Sequence, residues 1–351
     1  MTLNPLGLFE EMSTTSQKLA KGYETLQNIK NIDVAITEKE LVWQRDKVKL
    51  YHYKRETPAT CKIPVLVSFA MLNRHDVLDL QPDRSLMKKL LEEGLDIYIM
   101  DWGYPTQADK YLTMEDYIDG YMNSAVDFIR KAHAIPKIHK QGICQAGTYS
   151  MIYASRYPEK LQSLTTYVAP FDFGENDNML FKWAKHINVD TMVDSVGTVS
   201  GEMVDSAFGY LKPSMNISKY IGVMDSLEDE DKLLNFLRME QWKADLPAIP
   251  GEMYRKYIKD LFQNNLLIKG ELVLGGKKVD LKNMTVPYLN VYATGDNIIP
   301  NESSKAVMPK LGTKDKEEIP FPGGHIGVFV GTKSQKDLAP AVAKWTILKS
   351  K

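Results

Sequence analysis

The stretch IHKQGICQAGTYSMIYASRY, residues 138 to 157, predicts a short strand, a tight turn and a helix in immediate succession. Cys144 stands at the turn, with the small residues Gly142 and Ala146 two positions before and after it. Small residues there avoid clashes across a strand-to-helix turn, which presents the central side chain beyond the sheet edge. This is the pattern of a nucleophile elbow with a thiol as the nucleophile. The hexapeptide GICQAG would fit a buried structural cysteine beside a helix-capping turn equally well.

Strand and helix patterns alternate on both sides of this stretch. Residues 41–54 alternate around a polar turn, which predicts a hairpin. The helical pattern RSLMKKLLEEG ends at Gly94, and Thr113 is the expected N-cap of a longer amphipathic helix. Repeated strand–helix units predict a mostly parallel sheet with helices on both faces. The strand-like runs around the elbow are PVLVSFA, LDIYIMDW, IHKQGIC and LQSLTTYVAP.

The alternation stops near Pro170 and resumes at TVPYLNVYATGD, which begins at residue 285. Residues 171–285 are rich in Met and aromatic side chains and show mostly helical periodicity. We therefore expect an α/β-hydrolase core in residues 41–170 and 286–351, interrupted late in the chain by a helical cap at 171–285.

Residues 1–40 form a separate N-terminal helical segment in this division. Leu19, Tyr23, Leu26 and Ile29 recur at helical spacing and make one apolar stripe. We expect the stripe to pack against the chain's own domain. The alternative is a docking helix for a partner protein.

Two residues downstream complete a catalytic triad in the order nucleophile, acid, histidine. Asp296 follows a predicted strand in VYATGDNIIP, and His325 follows the next strand in FPGGHIGVFV. Carboxyl ends of parallel strands meet at one edge of a sheet, so both side chains should lie near Cys144. This order is that of the α/β hydrolases.

An oxyanion hole in this fold takes one backbone N–H from the residue after the nucleophile, here Gln145. The second donor comes from the loop after an early strand, which makes Leu72 or Asn73 the candidate; Asn73 could equally form a turn. His75 follows on the same loop and could line the site.

The bulk properties exclude several classes of protein. A formal net charge of −1 gives no reason to expect nucleic-acid binding. Two cysteines, Cys61 and Cys144, are too few for a disulfide framework, and no histidine pair has metal-ligand spacing. The low cysteine count fits a reducing cytoplasm. We find no secretory signal pattern and no apolar run of about 20 residues that could span a bilayer.

The motifs resemble those of the catalytic subunit of polyhydroxyalkanoate synthases. The resemblance runs from Leu41 to Val330 and rests on DLQPDRSL, GICQAG, GDNIIP and GGHIGVFV. It is to the short two-component classes, class IV or class III. Ala146 stands where most relatives have the first glycine of Cys-x-Gly-Gly, a departure that is similar to class IV.

The resemblance implies that Cys144 carries the acyl group, with His325 as base and Asp296 as the orienting acid. It implies a (3R)-hydroxyacyl-CoA substrate, usually short-chain, and no cofactor, because the CoA thioester is itself the substrate. EQWKADLPAIPGEMYRKY resembles a segment of the family's cap, which makes Trp242 and Asp245 candidate supports of the site. Packing of the cap is an equally good account of Trp242.

The resemblance also implies partners and a place in the cell. We expect a second synthase subunit (PhaR, or PhaE in class III), a homodimer, and location at the surface of cytoplasmic polyester granules.

Two alternatives stay open at this point. A cysteine-based hydrolase of the dienelactone hydrolase kind shares the elbow, but usually in a much shorter chain. A scaffold or granule-coat protein could have kept the fold without catalysis.

Overall fold

A mostly parallel sheet organises the chain. The computed structural model describes residues 5–29, 31–174, 177–211, 227 and 229–351. Within these residues the strands of the main sheet are β1 Lys39–Arg45, β2 Val48–Tyr53, β3 Val65–Ser68, β4 Ile97–Asp101, β5 Ile138–Ile143, β6 Leu161–Tyr167, β7 Tyr288–Ala293 and β8 Lys316–Phe321. Their order across the sheet is β1-β2-β4-β3-β5-β6-β7-β8. Strand β2 runs antiparallel to β1 and β4, and the pairs from β4 to β8 are parallel. The predicted hairpin and the mostly parallel sheet are both confirmed.

Helices connect the strands and cover the sheet. The α-helices are α1 Pro5–Asn28, α2 Leu86–Glu92, α3 Asn123–Ala132, α4 Gln145–Arg156, α5 Met179–His186, α6 Val189–Val196, α7 Gly201–Leu211, α8 Glu230–Ala244, α9 Gly251–Lys256, α10 Leu266–Lys269, α11 Asn301–Lys305, α12 Gly327–Val330 and α13 Ala339–Leu348. Three segments have π-helical hydrogen bonding: Asp116–Met122, Tyr257–Gln263 and Ser334–Leu338. Short 3-10 turns occur at His75–Leu78, Gln107–Asp109, Pro158–Lys160, Leu281–Asn283 and Met308–Lys310. Two-residue or three-residue strands pair outside the main sheet at Asp79–Gln81 with Arg84–Ser85, Thr198–Val199 with Ile249–Pro250, and Val273–Leu274 with Lys277–Lys278.

Helix α2 shows how local sequence sets an element's ends. The Ser85 side chain accepts a hydrogen bond from the Lys88 N–H and satisfies one of the free donors at the helix start. After the last turn, Gly94 has a φ of +100°, a value that residues other than glycine rarely adopt. The helix therefore ends at the glycine that the sequence predicted.

The two faces of the sheet are packed separately. On β3, Leu66 contributes to one core, while Val65 and Val67 contribute to the other, as the alternation of a strand requires. The first core includes residues of α3 and α4, and the second includes residues of α2 and α13. Helices on both faces bury the central strands completely.

The connection between β6 and β7 is long and contains helices α5 to α10. Residues 175–176, 212–226 and 228 of the predicted cap lie outside the described residues. Arg255 of α9 forms ion pairs with Asp190 and Asp194 of α6, which tie two of these helices together. The boundaries assigned to the N-terminal segment, core and cap stay predictions.

Helix α1 meets the rest of the chain through a glycine. A Cβ atom on the buried Gly22 would lie 2.8 Å from the Leu227 Cβ, so only glycine allows this approach. Leu19, Tyr23 and Leu26 are 48%, 63% and 42% exposed. The prediction that this stripe packs against the chain's own domain is wrong, because the helix uses its glycine face instead.

Candidate active site

Cys144 stands in a strained turn between β5 and α4. Its φ of +53° and ψ of −127° belong to a backbone region that non-glycine residues rarely occupy. A Cβ on Gly142 would lie 2.5 Å from Ser150 Oγ and 2.7 Å from the Ala146 carbonyl oxygen. The elbow therefore requires glycine at 142, and the predicted strand–turn–helix context of Cys144 is confirmed.

Asp296 and His325 follow β7 and β8 at the same edge of the sheet as Cys144. His325 Nδ1 lies 2.7 Å from Asp296 Oδ2. The other carboxylate oxygen of Asp296 accepts hydrogen bonds from the N–H groups of Ile298 and Ile299 at 2.8 and 2.9 Å. Both side chains are buried, so the backbone fixes the acid and the acid fixes the imidazole.

The imidazole also interacts with the thiol. Burial alone would lower the pKa of His325, but the interaction with the nearby Cys144 side chain and the hydrogen bond with Asp296 outweigh burial and raise it above its usual range. A raised pKa favours an imidazolium next to the sulfur. The structure thus brings together the three side chains that the sequence singled out. Their catalytic roles stay predictions.

An apolar cavity of about 180 Å³ opens beside the Cys144 side chain. It is lined by side chains from α4, the loop after β3, the helices between β6 and β7, and the turn after Asp296. They are Leu72, Cys144, Gln145, Pro170, Leu180, Trp183, Ala184, Ile187, Met192, Val199, Met203, Val204, Tyr254, Tyr257, Ile258, Phe262, Ile298 and Ile299. The cavity is large enough for several heavy atoms of a ligand, because one liquid water takes about 30 Å³.

The three candidates for the oxyanion hole separate in the structure. Gln145 is the first residue of α4, and Leu72 lines the cavity with it. Asn73 lies outside the cavity, and its Oδ1 accepts a hydrogen bond from the Arg74 N–H at 2.6 Å. Leu72 thus lies on the cavity and Asn73 does not, and the choice of the second oxyanion donor stays a prediction.

Trp242 and Asp245 contact the loop after β3, not the cavity. Trp242 Nε1 donates to the Arg74 carbonyl at 2.7 Å, and Asp245 Oδ2 lies 3.9 Å from Arg74 Nε. Asp245 also accepts from the hydroxyl of Tyr104, which follows β4, at 2.7 and 2.8 Å. The Arg74 guanidinium pairs with Asp101 at the end of β4. Any support that the two residues give to the site would therefore act through this loop.

His75 is buried beside Arg74 and lines a separate small cavity. Burial lowers its pKa to about 4, which keeps the imidazole neutral at pH 7. The structure does not place it on the cavity that Cys144 lines.

Sequence reasoning missed most of the cavity wall. Leu180 and Trp183 of α5, and Tyr254 and Tyr257 near the end of α9, come from patterns that predicted only helices. The Met-rich character of residues 171–285 was the available signal, and Met192 and Met203 do line the cavity.

Among the described residues, no group of three or more His, Cys, Asp or Glu side chains is arranged to hold a metal ion. The same part of the chain contains no helix whose length and apolarity would suffice to cross a membrane.

Comparison with known proteins gives two family matches. Residues 75–332 match the model of the alpha/beta hydrolase fold, and residues 8–90 match that of the N-terminus of poly-beta-hydroxybutyrate polymerase (PhaC). The chain is 43% identical to the poly(3-hydroxyalkanoate) polymerase subunit PhaC of Allochromatium vinosum, over 98% of each chain. It is also 43% identical to the protein of that name from Thiocystis violacea, over 98% of this chain and 97% of that one.

Among solved structures, the chain is similar to a monoglyceride lipase from Saccharomyces cerevisiae, with a TM-score of 0.56 and 15% identity over 90% of this chain and 97% of that one. It is also similar to the Paleococcus ferrophilus monoacylglycerol lipase, with a TM-score of 0.54 and 16% identity over 86% and 99%. At these identities the likeness shows the α/β-hydrolase fold alone.

Proposed function

The chain belongs to the poly(3-hydroxyalkanoate) polymerase family, whose members are acyltransferases, and from this premise we propose that it polymerises (3R)-hydroxyacyl-CoA through a thioester on Cys144. The observation that carries the proposal is the contact of Asp296, His325 and Cys144 at the edge of an apolar cavity. We propose 3-hydroxybutyryl-CoA as the substrate.

The first step moves the acyl group from CoA to the enzyme. The Cys144 thiolate attacks the carbonyl carbon, a new carbon–sulfur bond forms, and the bond to the CoA sulfur breaks. The CoA thiolate takes the proton that His325 holds and leaves as CoA thiol. The oxyanion of the intermediate accepts hydrogen bonds from the backbone N–H groups of Gln145 and Leu72.

A thiol suits this reaction because one thioester is exchanged for another. The acyl group stays activated on Cys144, whereas a serine would form an oxyester and leave less driving force for the next transfer.

The second step makes the polyester bond. His325, now neutral, takes the proton of the 3-hydroxyl of an incoming hydroxyacyl-CoA, and the oxygen attacks the thioester carbonyl on Cys144. An ester bond forms, the carbon–sulfur bond breaks, and the thiolate and imidazolium are restored. The lengthened chain, now on CoA, returns to Cys144 by the first step, and CoA leaves.

Water would turn the same triad into a hydrolase. The cavity lining argues for polymerisation, because apolar side chains such as Ile298, Ile299 and Phe262 exclude water from the thioester. A hydroxyacyl end group can enter with its own nucleophile.

The relatives from Allochromatium vinosum and Thiocystis violacea are named as subunits of a polymerase. We therefore propose that the chain works with a second subunit of the PhaR or PhaE kind, as a homodimer, at the surface of polyester granules. Co-expression with and without such a subunit, followed by extraction of polymer, tests this part.

The catalytic part is tested with Cys144→Ala and His325→Gln in a 3-hydroxybutyryl-CoA turnover assay. We expect both variants to release CoA at least a thousandfold more slowly than the wild type, because the nucleophile and its base act as a unit. Release at the wild-type rate would remove that residue from the mechanism. Free 3-hydroxybutyric acid in place of insoluble polyester would identify a hydrolase.

A further inference from the structure

The side chain of Gln145 joins the elbow to the loop after β3. Gln145 is only 2% exposed and lines the cavity together with Cys144. Its Oε1 atom accepts a hydrogen bond from the Met71 backbone N–H at 3.1 Å.

This contact fixes the orientation of the carboxamide. A backbone N–H can donate only to an acceptor, so the oxygen of the amide must face Met71. The two N–H bonds of Nε2 then lie on the other side of the carboxamide. In the described part of the chain no atom accepts a hydrogen bond from Nε2.

A donor in this position is open to a ligand. Gln145 Nε2 is not among the fully buried polar atoms that lack a partner, so it keeps some accessible surface on a residue that lines the cavity. Most of the cavity lining is aliphatic or aromatic. The substrate of the proposed reaction brings a hydroxyl group into the same space, and that hydroxyl would also lack a partner among apolar side chains.

We infer that the Nε2 amide of Gln145 donates a hydrogen bond to the 3-hydroxyl oxygen of the acyl group when a single hydroxyacyl monomer is loaded onto Cys144. The inference rests on the proposed function and assigns to the side chain a task separate from that of the Gln145 backbone N–H. The 3-hydroxyl stands two carbon atoms beyond the carbonyl that the sulfur attacks, and Gln145 is the next residue after Cys144. The carbonyl carbon thus meets Cys144 while the 3-hydroxyl, two carbon atoms away, meets the neighbouring Gln145 side chain.

The consequence is selection for hydroxylated acyl groups. A site built to bond a hydroxyl rejects an analogue without one, because the protein group is then left unpaired. Gln145 should therefore favour 3-hydroxybutyryl-CoA over butyryl-CoA, although the two thioesters have the same reactive carbonyl.

The test measures the rate at which Cys144 becomes acylated, by rapid quench and intact-protein mass spectrometry, with each of these two thioesters. Gln145→Glu keeps an oxygen for the Met71 N–H and removes the donor. Gln145→Met removes both. We expect each variant to lower the ratio of the two rates, 3-hydroxybutyryl over butyryl, by about tenfold or more. Because both substrates use the same thiolate and oxyanion hole, damage to either cancels in the ratio.

Gln141→Met is the matched control. Gln141 lies on β5 and is 1% exposed, its Oε1 accepts from the Tyr167 hydroxyl, and it does not line the cavity. Its variant should leave the ratio at the wild-type value.

An unchanged ratio in the Gln145 variants, with or without an equal loss of rate for both thioesters, would overturn the inference. The side chain would then have only its hydrogen bond with the Met71 N–H. Failure of the proposed function looks different. In that case wild-type Cys144 would not be acylated by 3-hydroxybutyryl-CoA at all.

Discussion

At the scale of single residues, the candidate catalytic positions were accessible to sequence reasoning, and the contacts of the side chains around them were not. Cys144, Asp296 and His325 stand in a diagnostic order, each directly after a strand-like run, so connectivity alone predicted their meeting. The Gln145 contact with Met71 joins residues 74 positions apart. It depends on the conformation of two loops, for which the sequence has no periodic signal.

Lys140 is a second residue whose surroundings could not be predicted, because the sequence pattern predicts a strand there but not the burial of its amine. It lies on β5 with no exposed surface, and its Nζ donates to Ser68 Oγ at 2.8 Å and to the Gln141 carbonyl at 2.9 Å. Among its described hydrogen-bond partners none is a carboxylate. Burial lowers the pKa of its amine far below the usual value.

Lys140→Met should therefore raise the free energy of unfolding. Because burial lowers the folded-state pKa below the unfolded value of about 10.4, the buried amine destabilises the fold at pH values below 10.4, and this cost disappears as the pH rises to that value. We expect a gain of about 2 kcal/mol at pH 7 that shrinks as the pH approaches 10.4. Urea unfolding at several pH values measures it.

Lys131→Met, at an exposed position of α3, is the control and should change stability by less than about 0.5 kcal/mol. A Lys140→Met protein that is less stable than the wild type at pH 7 would show that the amine's hydrogen bonds outweigh its desolvation.

At the scale of elements, the elbow was the easiest to predict, because its geometry depends on the absence of side chains. Strands β3, β4, β5 and β6 also lie inside the runs that predicted them. The π-helical segments were missed, because apolar residues at three- and four-residue spacing fit an α-helix as well.

Gly142→Ala tests the elbow as an element. The new Cβ would lie 2.7 Å from the Ala146 carbonyl oxygen, a backbone atom that cannot move aside without shifting the start of α4. We expect a loss of about 2 kcal/mol in unfolding free energy and a loss of activity with it. Thermal unfolding and the CoA-release assay measure the two effects.

Gly120→Ala provides the comparison, since Gly120 lies in the π-helical segment Asp116–Met122 and its added Cβ would meet nothing closer than 4.0 Å. That variant should be as stable as the wild type or more stable by up to about 1 kcal/mol. Equal stability of the two variants would mean that the turn adapts to a methyl group.

At the scale of the whole molecule, the sequence predicted the layers of the sheet and its helices but not how the long β6–β7 connection packs. The alternation of strands and helices can be recognised locally in the sequence, and it is enough to predict a parallel sheet covered by helices. The aromatic side chains of the connection have no such pattern. Phe173, Phe181 and Phe262 pack into one cluster with ring centroids 4.6 to 5.6 Å apart, and Tyr257 packs on Tyr149 of α4.

These contacts predict uneven hydrogen exchange within the connection. The segment Tyr257–Gln263 buries four side chains, one of which packs on α4, whereas α6 buries two and is tied by partly exposed ion pairs to Arg255. We expect the amides of α6 to exchange at least tenfold faster than those of Tyr257–Gln263, because fewer buried contacts must open. Exchange followed by mass spectrometry of peptides measures both. Equal protection would mean that the two segments open as one unit.

The π-helical segment Tyr257–Gln263 also bears on how the cavity beside Cys144 would respond to the deletion of one residue from the polypeptide. Each residue of an α-helix advances the side chains by about 100°, and a π turn holds one more residue than an α turn. Deletion of one residue in the middle of this segment would convert the π turn into an ordinary α turn without breaking the helix. It would also change the part of the cavity wall that Tyr257, Ile258 and Phe262 share. A deletion of one residue here would therefore reshape the cavity beside Cys144.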